Sequence, residues 1–104
     1  MTRDNARQEI GSTAATILSG ALSFIEGARK LSRLRFAADL EDDADLITFV
    51  AIDSETDALP LGEVRKLWRA DALSNLQSEI DKAQEWARNI GQASCERLVK
   101  RFGS

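Results

Sequence analysis

Apolar residues recur along this chain with helical spacing almost throughout. Ile10, Ala14, Ile17 and Leu18 follow i, i+4, i+7 and i+8, one buried stripe of a helix from about Arg3 to Ser19. Gly20 ends that stripe, and the small residues Ser12, Ala14 and Ala15 invite another helix to approach closely. Next, Ser23-Phe24-Ile25-Glu26 matches a capping box, in which the Ser oxygen and the Glu carboxylate each satisfy an otherwise unpaired backbone N–H. A second helix therefore starts at Phe24 and runs to about Ala38, with its buried side drawn from Phe24, Ala28, Leu31 and Leu34. Gly27 costs it up to about 1 kcal/mol relative to alanine, which a packed helix tolerates.

The pattern breaks at Asp39–Asp45, an acid-rich turn in which Asp42 or Asp43 can cap a third helix. Leu46, Phe49, Val50 and Ile52 then face inward. Ile, Thr, Phe and Val favour sheets, but no second strand-like run exists to pair with Leu46–Ile52. Ser54–Leu59 reads as a loop, Pro60 forbids continuing a helix through it, and a short helix is predicted from about Leu61 to Trp68. In the last segment Leu73, Leu76, Ile80, Ala83, Ala87 and Ile90 alternate steps of three and four, as in a heptad seam. Asp71 is its candidate N-cap, and Lys100, Arg101 and Gly103 suit its far end. One helix from about 71 to 101 would be about 46 Å long. Since a chain of this size has a radius of gyration near 13 Å, and the stripe shifts beyond Gly91 to Cys95, Leu98 and Phe102, a bend or break at Gly91 is expected. The prediction is an all-α domain spanning residues 1–104, four to five helices in a compact bundle with a long C-terminal helix.

Composition narrows the chemistry. At 104 residues the chain is large enough for a single core, and 43% hydrophobic with 30% charged residues is ordinary for a folded domain. There is no histidine, which removes imidazole-dependent triads, His acid/base chemistry and most zinc sites. With 14 basic and 17 acidic side chains the net charge is -3, against affinity based on blanket attraction to phosphate; nucleic acid is not an expected partner. A lone cysteine, Cys95, cannot form an intramolecular disulfide, so the chain reads as cytoplasmic, with a buried, inert thiol. Ile10–Ile25 carries no charge and superficially imitates a signal peptide. Asp4 and Glu9 cancel the preceding arginines, and the stretch is too short to span a membrane. No membrane association is expected.

The acids are unevenly placed: nine of them, from Asp39 to Glu63, lie in a stretch from Phe36 to Val64 without Lys or Arg. One reading is a docking surface for a basic protein partner, formed by Asp53, Glu55 and Asp57 with Trp68 as an aromatic anchor. The other is a solvated segment of loops and caps, balanced by Arg29, Lys30, Arg33 and Arg35 on one side and Arg65, Lys66 and Arg69 on the other. Asp53-Ser54-Glu55-Thr56-Asp57 resembles the first half of a calcium loop, but Ala58 replaces the turn glycine and Val64 the closing Glu. The basic run Arg29–Arg35 could hold phosphate, with Glu26 as a plainer local ion partner.

Ser23-Phe24-Ile25-Glu26-Gly27-Ala28-Arg29-Lys30-Leu31 and Phe49-Val50-Ala51-Ile52-Asp53-Ser54-Glu55-Thr56-Asp57, with Pro60 and Trp68 after them, resemble stretches of a small uncharacterised bacterial protein family. The resemblance implies no activity. The leading functional expectation is a non-catalytic cytoplasmic interaction protein of the immunity or antitoxin kind, without catalytic residues, metal ligands or cofactor. The alternative is a metal-dependent enzyme acting on a phosphorylated small molecule, with Asp42, Asp45, Asp53 and Asp57 as ligands and Arg29 or Arg33 as anion clamp. The long last stripe also predicts a homodimer through Ile80 and Trp86, unless Gly91 breaks the helix and folds Leu98 and Phe102 onto the core.

Overall fold

The computed structural model describes residues 1–59 and 69–103, all-α in architecture. Within them lie α1 (Arg3–Leu18), α2 (Phe24–Ala37), α3 (Ala44–Thr56) and α4 (Ala70–Phe102). The expected short helix over 61–68 lies outside the described residues, as does Trp68. α1 packs on α2 and α4, α3 packs on α2 and α4, and α2 touches α4 across the middle. The radius of gyration is 14.0 Å and the longest dimension 44 Å.

Local chemistry sets most helix ends. Thr2 Oγ1 accepts from Asn5 N at 3.1 Å, Ser23 Oγ from Glu26 N at 3.1 Å, and Asp43 Oδ1 from Asp45 N at 3.0 Å, so three helices begin on side-chain caps. α1 stops where Gly20 turns left-handed, at φ 87°. α2 stops in a Schellman arrangement: Leu40 N donates to Arg35 O at 2.9 Å and Asp39 N to Phe36 O at 3.2 Å. The left-handed position there is held by Asp39, at φ 58°, rather than by glycine. α4 begins at Ala70, two residues before Ala72, where a helix capped by Asp71 would begin. Arg69 is its N-cap without a side-chain bond, and Asp71 lies in the first turn.

Five expectations are corrected by packing. α3 continues through Ser54 and Glu55 to Thr56, because Thr56 is 2% exposed, its hydroxyl donates to Ile52 O at 2.6 Å, and Arg29 Nη2 donates to Thr56 O at 2.6 Å. That also removes the loop a calcium site would need. α4 runs unbroken through Gly91. A Cβ there would stand 3.2 Å from Phe49 Cε1 and Ile52 Cδ1 and 3.3 Å from Phe24 Cδ1, so the glycine is a notch that admits α2 and α3 to the seam. Tertiary packing overrides its weak helix propensity. The close approach on α1 is likewise made by Gly11, not by Ser12 or Ala15, which are exposed; Phe102 backbone lies 2.5 Å from where a Gly11 Cβ would be. On α2 the buried face is Ile25, Ala28 and Leu31, with Phe24 and Leu34 only half-buried. The seam of α4 is Ile80, Ala87, Gly91, Cys95 and Leu98, so Ile80, 3% exposed, belongs to this chain's own core and is withdrawn from a dimer face.

Candidate functional site

The sequence concentrates acids in the middle of the chain, and α3 divides them. It is 13 residues long, about 20 Å at 1.5 Å per residue. Asp39, Glu41, Asp42, Asp43 and Asp45 lie at its N-terminal end, Asp53, Glu55 and Asp57 at its C-terminal end. Even the nearest members, Asp45 and Asp53, lie about 12 Å apart along the helix, beyond the roughly 8 Å screening length at physiological salt, so the two groups act as largely separate sources of field.

At the N-terminal end two of the five acids, Asp43 and Asp45, are neutralised. α3 and α4 run antiparallel, which brings the acidic first turn of α3 to the basic last turn of α4. Arg101 grips Asp43 with two bonds, Nη1–Oδ1 at 3.0 Å and Nη2–Oδ2 at 2.6 Å, and reaches Asp45 Oδ2 at 3.1 Å. Arg97 Nε donates to the other Asp45 oxygen at 2.7 Å, and its Nη2 donates to Ser94 Oγ at 3.2 Å. Both carboxylates are nearly out of water, at 12% and 11% side-chain exposure. The hydrogen bond from Arg101 outweighs desolvation and holds the Asp43 carboxyl below the usual carboxylate range; the same pairing raises the affinity of Arg101 for its proton. The partners of Asp43 and Asp45 among the described residues are therefore Arg97 and Arg101, more than fifty residues away.

At the C-terminal end the acids sit where the helix dipole opposes them. The last turn of α3 contains no basic residue, although helix dipoles favour cations there and disfavour acids by about 0.3–1 kcal/mol each. Arg29 of α2 is the counter-cation: its Nε lies 3.8 Å from Asp53 Oδ1, and its Nη2 donates to Thr56 O and, at 3.3 Å, to Leu59 O. Asp53 and Asp57 are one turn apart and share the side nearest Arg29; Glu55, between them, leaves on the opposite flank. Glu55 and Asp57 are exposed. The acids ring the helix end rather than line one face.

Lys30 and Arg35 of α2 are also engaged. Lys30 Nζ lies 2.7 Å from Glu9 Oε1, instead of pairing with Glu26, and Arg35 bonds Ser32 and covers the Phe36 ring at 4.1 Å. Asp45 stands about 12 Å along α3 from Asp53, with Asp42 and Asp57 beyond the two helix ends, so the four carboxylates proposed as metal ligands do not converge. Among the described residues no three His, Cys, Asp or Glu are gathered as metal ligands would be. Two open grooves flank α4. One, of 420 Å³, is lined by Ile17, Leu22, Phe24, Gln84 and Arg88 among others; the second lies between Gly11 and Phe102 and is lined by no titratable side chain. Neither assembles an acid/base pair. Cys95 is fully buried, and burial pushes its thiol up to about 12, assisted by Glu96. Trp86 is 38% exposed, next to Ile90 at 40% on the following turn. No helix among the described residues is long and apolar enough to cross a membrane.

The sequence reading missed the Asp43–Asp45–Arg97–Arg101 cluster. Its only local signal was the complementary charge at two helix ends, acids opening α3 and Lys100 and Arg101 closing α4. Comparison with known proteins gives no match: no protein-family profile, no curated protein and no solved structure is similar to the chain, and the resemblance of residues 23–31 and 49–57 to a bacterial family gains no support from them.

Proposed function

We propose that this chain is a non-catalytic cytoplasmic interaction protein that presents the negative C-terminal end of α3, with Asp53, Glu55 and Asp57, to a basic protein partner, in the manner of immunity proteins and antitoxins. The observation that carries the reading is the placement of exposed acids where the helix dipole opposes them, without a basic residue in the turn. A folded chain that breaks a local rule does so most often where function requires it. By contrast, Asp43 and Asp45 at the other end of α3 obey the rule and are paired with arginines of α4. Exposed charge at a helix end steers association and selects partners by sign more than it adds affinity.

The test is recovery of a partner on the tagged full-length chain from its native cells, followed by binding of that purified partner to variants. Glu55→Lys with Asp57→Lys is expected to abolish retention and Asp42→Lys at the opposite end to preserve it. Binding should weaken steeply as salt rises. Failure to recover any partner, or a partner held equally well by the Glu55/Asp57 variant, refutes the reading.

A further inference from the structure

α4 carries a second surface, independent of the acidic end of α3. Trp86 and Ile90 are exposed one turn apart on it, and Ala93 is exposed on the next. At 3.6 residues per turn Glu79, Trp86, Ile90, Ala93 and Arg97 fall within one arc of roughly 60°, rotated away from the buried seam of Ile80, Ala87, Gly91 and Leu98. Glu79 precedes Trp86 by the same two turns by which Arg97 follows Ile90. The strip therefore reads acid, apolar, apolar, base, and it is complementary to itself when its direction is reversed.

That symmetry is what an isologous two-fold contact demands: each residue i must suit the residue j that it meets, and j must suit i. We infer that α4 pairs with α4 of a second copy of this chain, antiparallel, with Trp86 of each copy against Ile90 of the other and Glu79 of each against Arg97 of the other. The same register sets Ala83 against Ala93, and two small side chains let the helices approach closely. A parallel pairing would instead oppose Glu79 to Glu79 and Arg97 to Arg97, and like charges reject it. The charges thus select both the partner, a second copy, and its direction. Arg97 can extend to this contact through Nη1: its side chain stays 57% exposed while Nε holds Asp45 and Nη2 bonds Ser94 Oγ. Tryptophan in a closed contact carries much of an interface's energy, and charged residues at the rim set register.

The experiment is light scattering of the full chain from about 1 to about 200 µM, a range that covers weak two-helix contacts. The mass should rise from 11.5 kDa toward twice that value. Ile90→Glu should return it to the monomer with helical circular dichroism unchanged, because the side chain is outside the core. Glu79→Arg should weaken the dimer about tenfold or more. Register is read separately. Ala83→Cys with Ala93→Cys should give a covalent dimer on oxidation, since two positions about 15 Å apart on one helix cannot bridge within a chain; Ala83→Cys alone should not. Buried Cys95 does not compete. A mass of 11.5 kDa throughout, a dimer that survives Ile90→Glu, or cross-linking by Ala83→Cys alone overturns the inference.

Discussion

Replacing Asp45 by alanine tests how α3 is held to α4. Asp45 receives two charge-assisted hydrogen bonds, from Arg97 Nε at 2.7 Å and Arg101 Nη1 at 3.1 Å, and its carboxylate side chain is 11% exposed. Fully shielded, each bond would contribute about 1.5–3 kcal/mol. Both arginines reach water, with side chains 57% and 38% exposed, so rehydration on loss of the carboxylate returns a large share of that sum. Arg101 also keeps its two bonds to Asp43. Losing a first-turn acid forfeits a further 0.3–1 kcal/mol or so of dipole interaction. The net is about 2 kcal/mol, which for a domain of roughly 100 residues lowers Tm by roughly 8–16 °C. Thermal unfolding followed by circular dichroism measures it, with Asp57→Ala as control. Asp57 is exposed at the unfavourable end of the same helix, so its removal should leave Tm unchanged or slightly raised. A drop below about 3 °C for Asp45→Ala, or a larger drop for the control, would show that the cluster does not anchor the two helices.

Gly11→Ala should destabilise by about 2 kcal/mol or more, because the added Cβ would meet the Phe102 and Gly103 backbone at 2.5–2.7 Å; chemical denaturation reads the change, and an unchanged midpoint contradicts the close approach. Asp39→Gly should stabilise by about 0.5–1 kcal/mol by relieving a left-handed non-glycine residue at the Schellman position of α2, also visible in the denaturation midpoint. Because Arg101 lowers the Asp43 carboxyl in the folded state, its ionised form contributes stability that is present above its unfolded value of 3.8 and lost as pH falls through the lower folded value. Acid unfolding of Asp43→Asn should accordingly show a shallower pH dependence below about pH 4 than the parent chain. Cys95, its thiol pushed up to about 12 by burial, should resist a disulfide reagent at pH 8 in the folded protein and react at once in denaturant; rapid native reaction would place the thiol at the surface.

The fold class was legible because helix formation here is announced by short-range chemistry. Ser23 and Asp43 cap, Gly20 stops, and the i, i+4 stripes of α1 identify Ile10, Ala14 and Ile17 as core. These signals involve residues three or four apart and need no knowledge of what lies opposite. Gly91 marks where they end: as a letter it reads as a breaker, and only Phe49, Ile52 and Phe24 packed against it show that the missing side chain is the purpose of the residue. Ile80 and Ile90 differ for the same reason. Both sit on the same apolar pattern, and only the positions of α1, α2 and α3 around α4 turn the first inward and leave the second in water. Likewise the acids of the middle segment are alike in sequence, whereas antiparallel packing neutralises Asp43 and Asp45 with Arg97 and Arg101 and leaves Glu55 and Asp57 exposed. Backbone capping and periodicity are local, so sequence alone determined the helices; which charges are consumed and which apolar side chains stay uncovered depends on contacts between distant segments, and only the tertiary structure decided those.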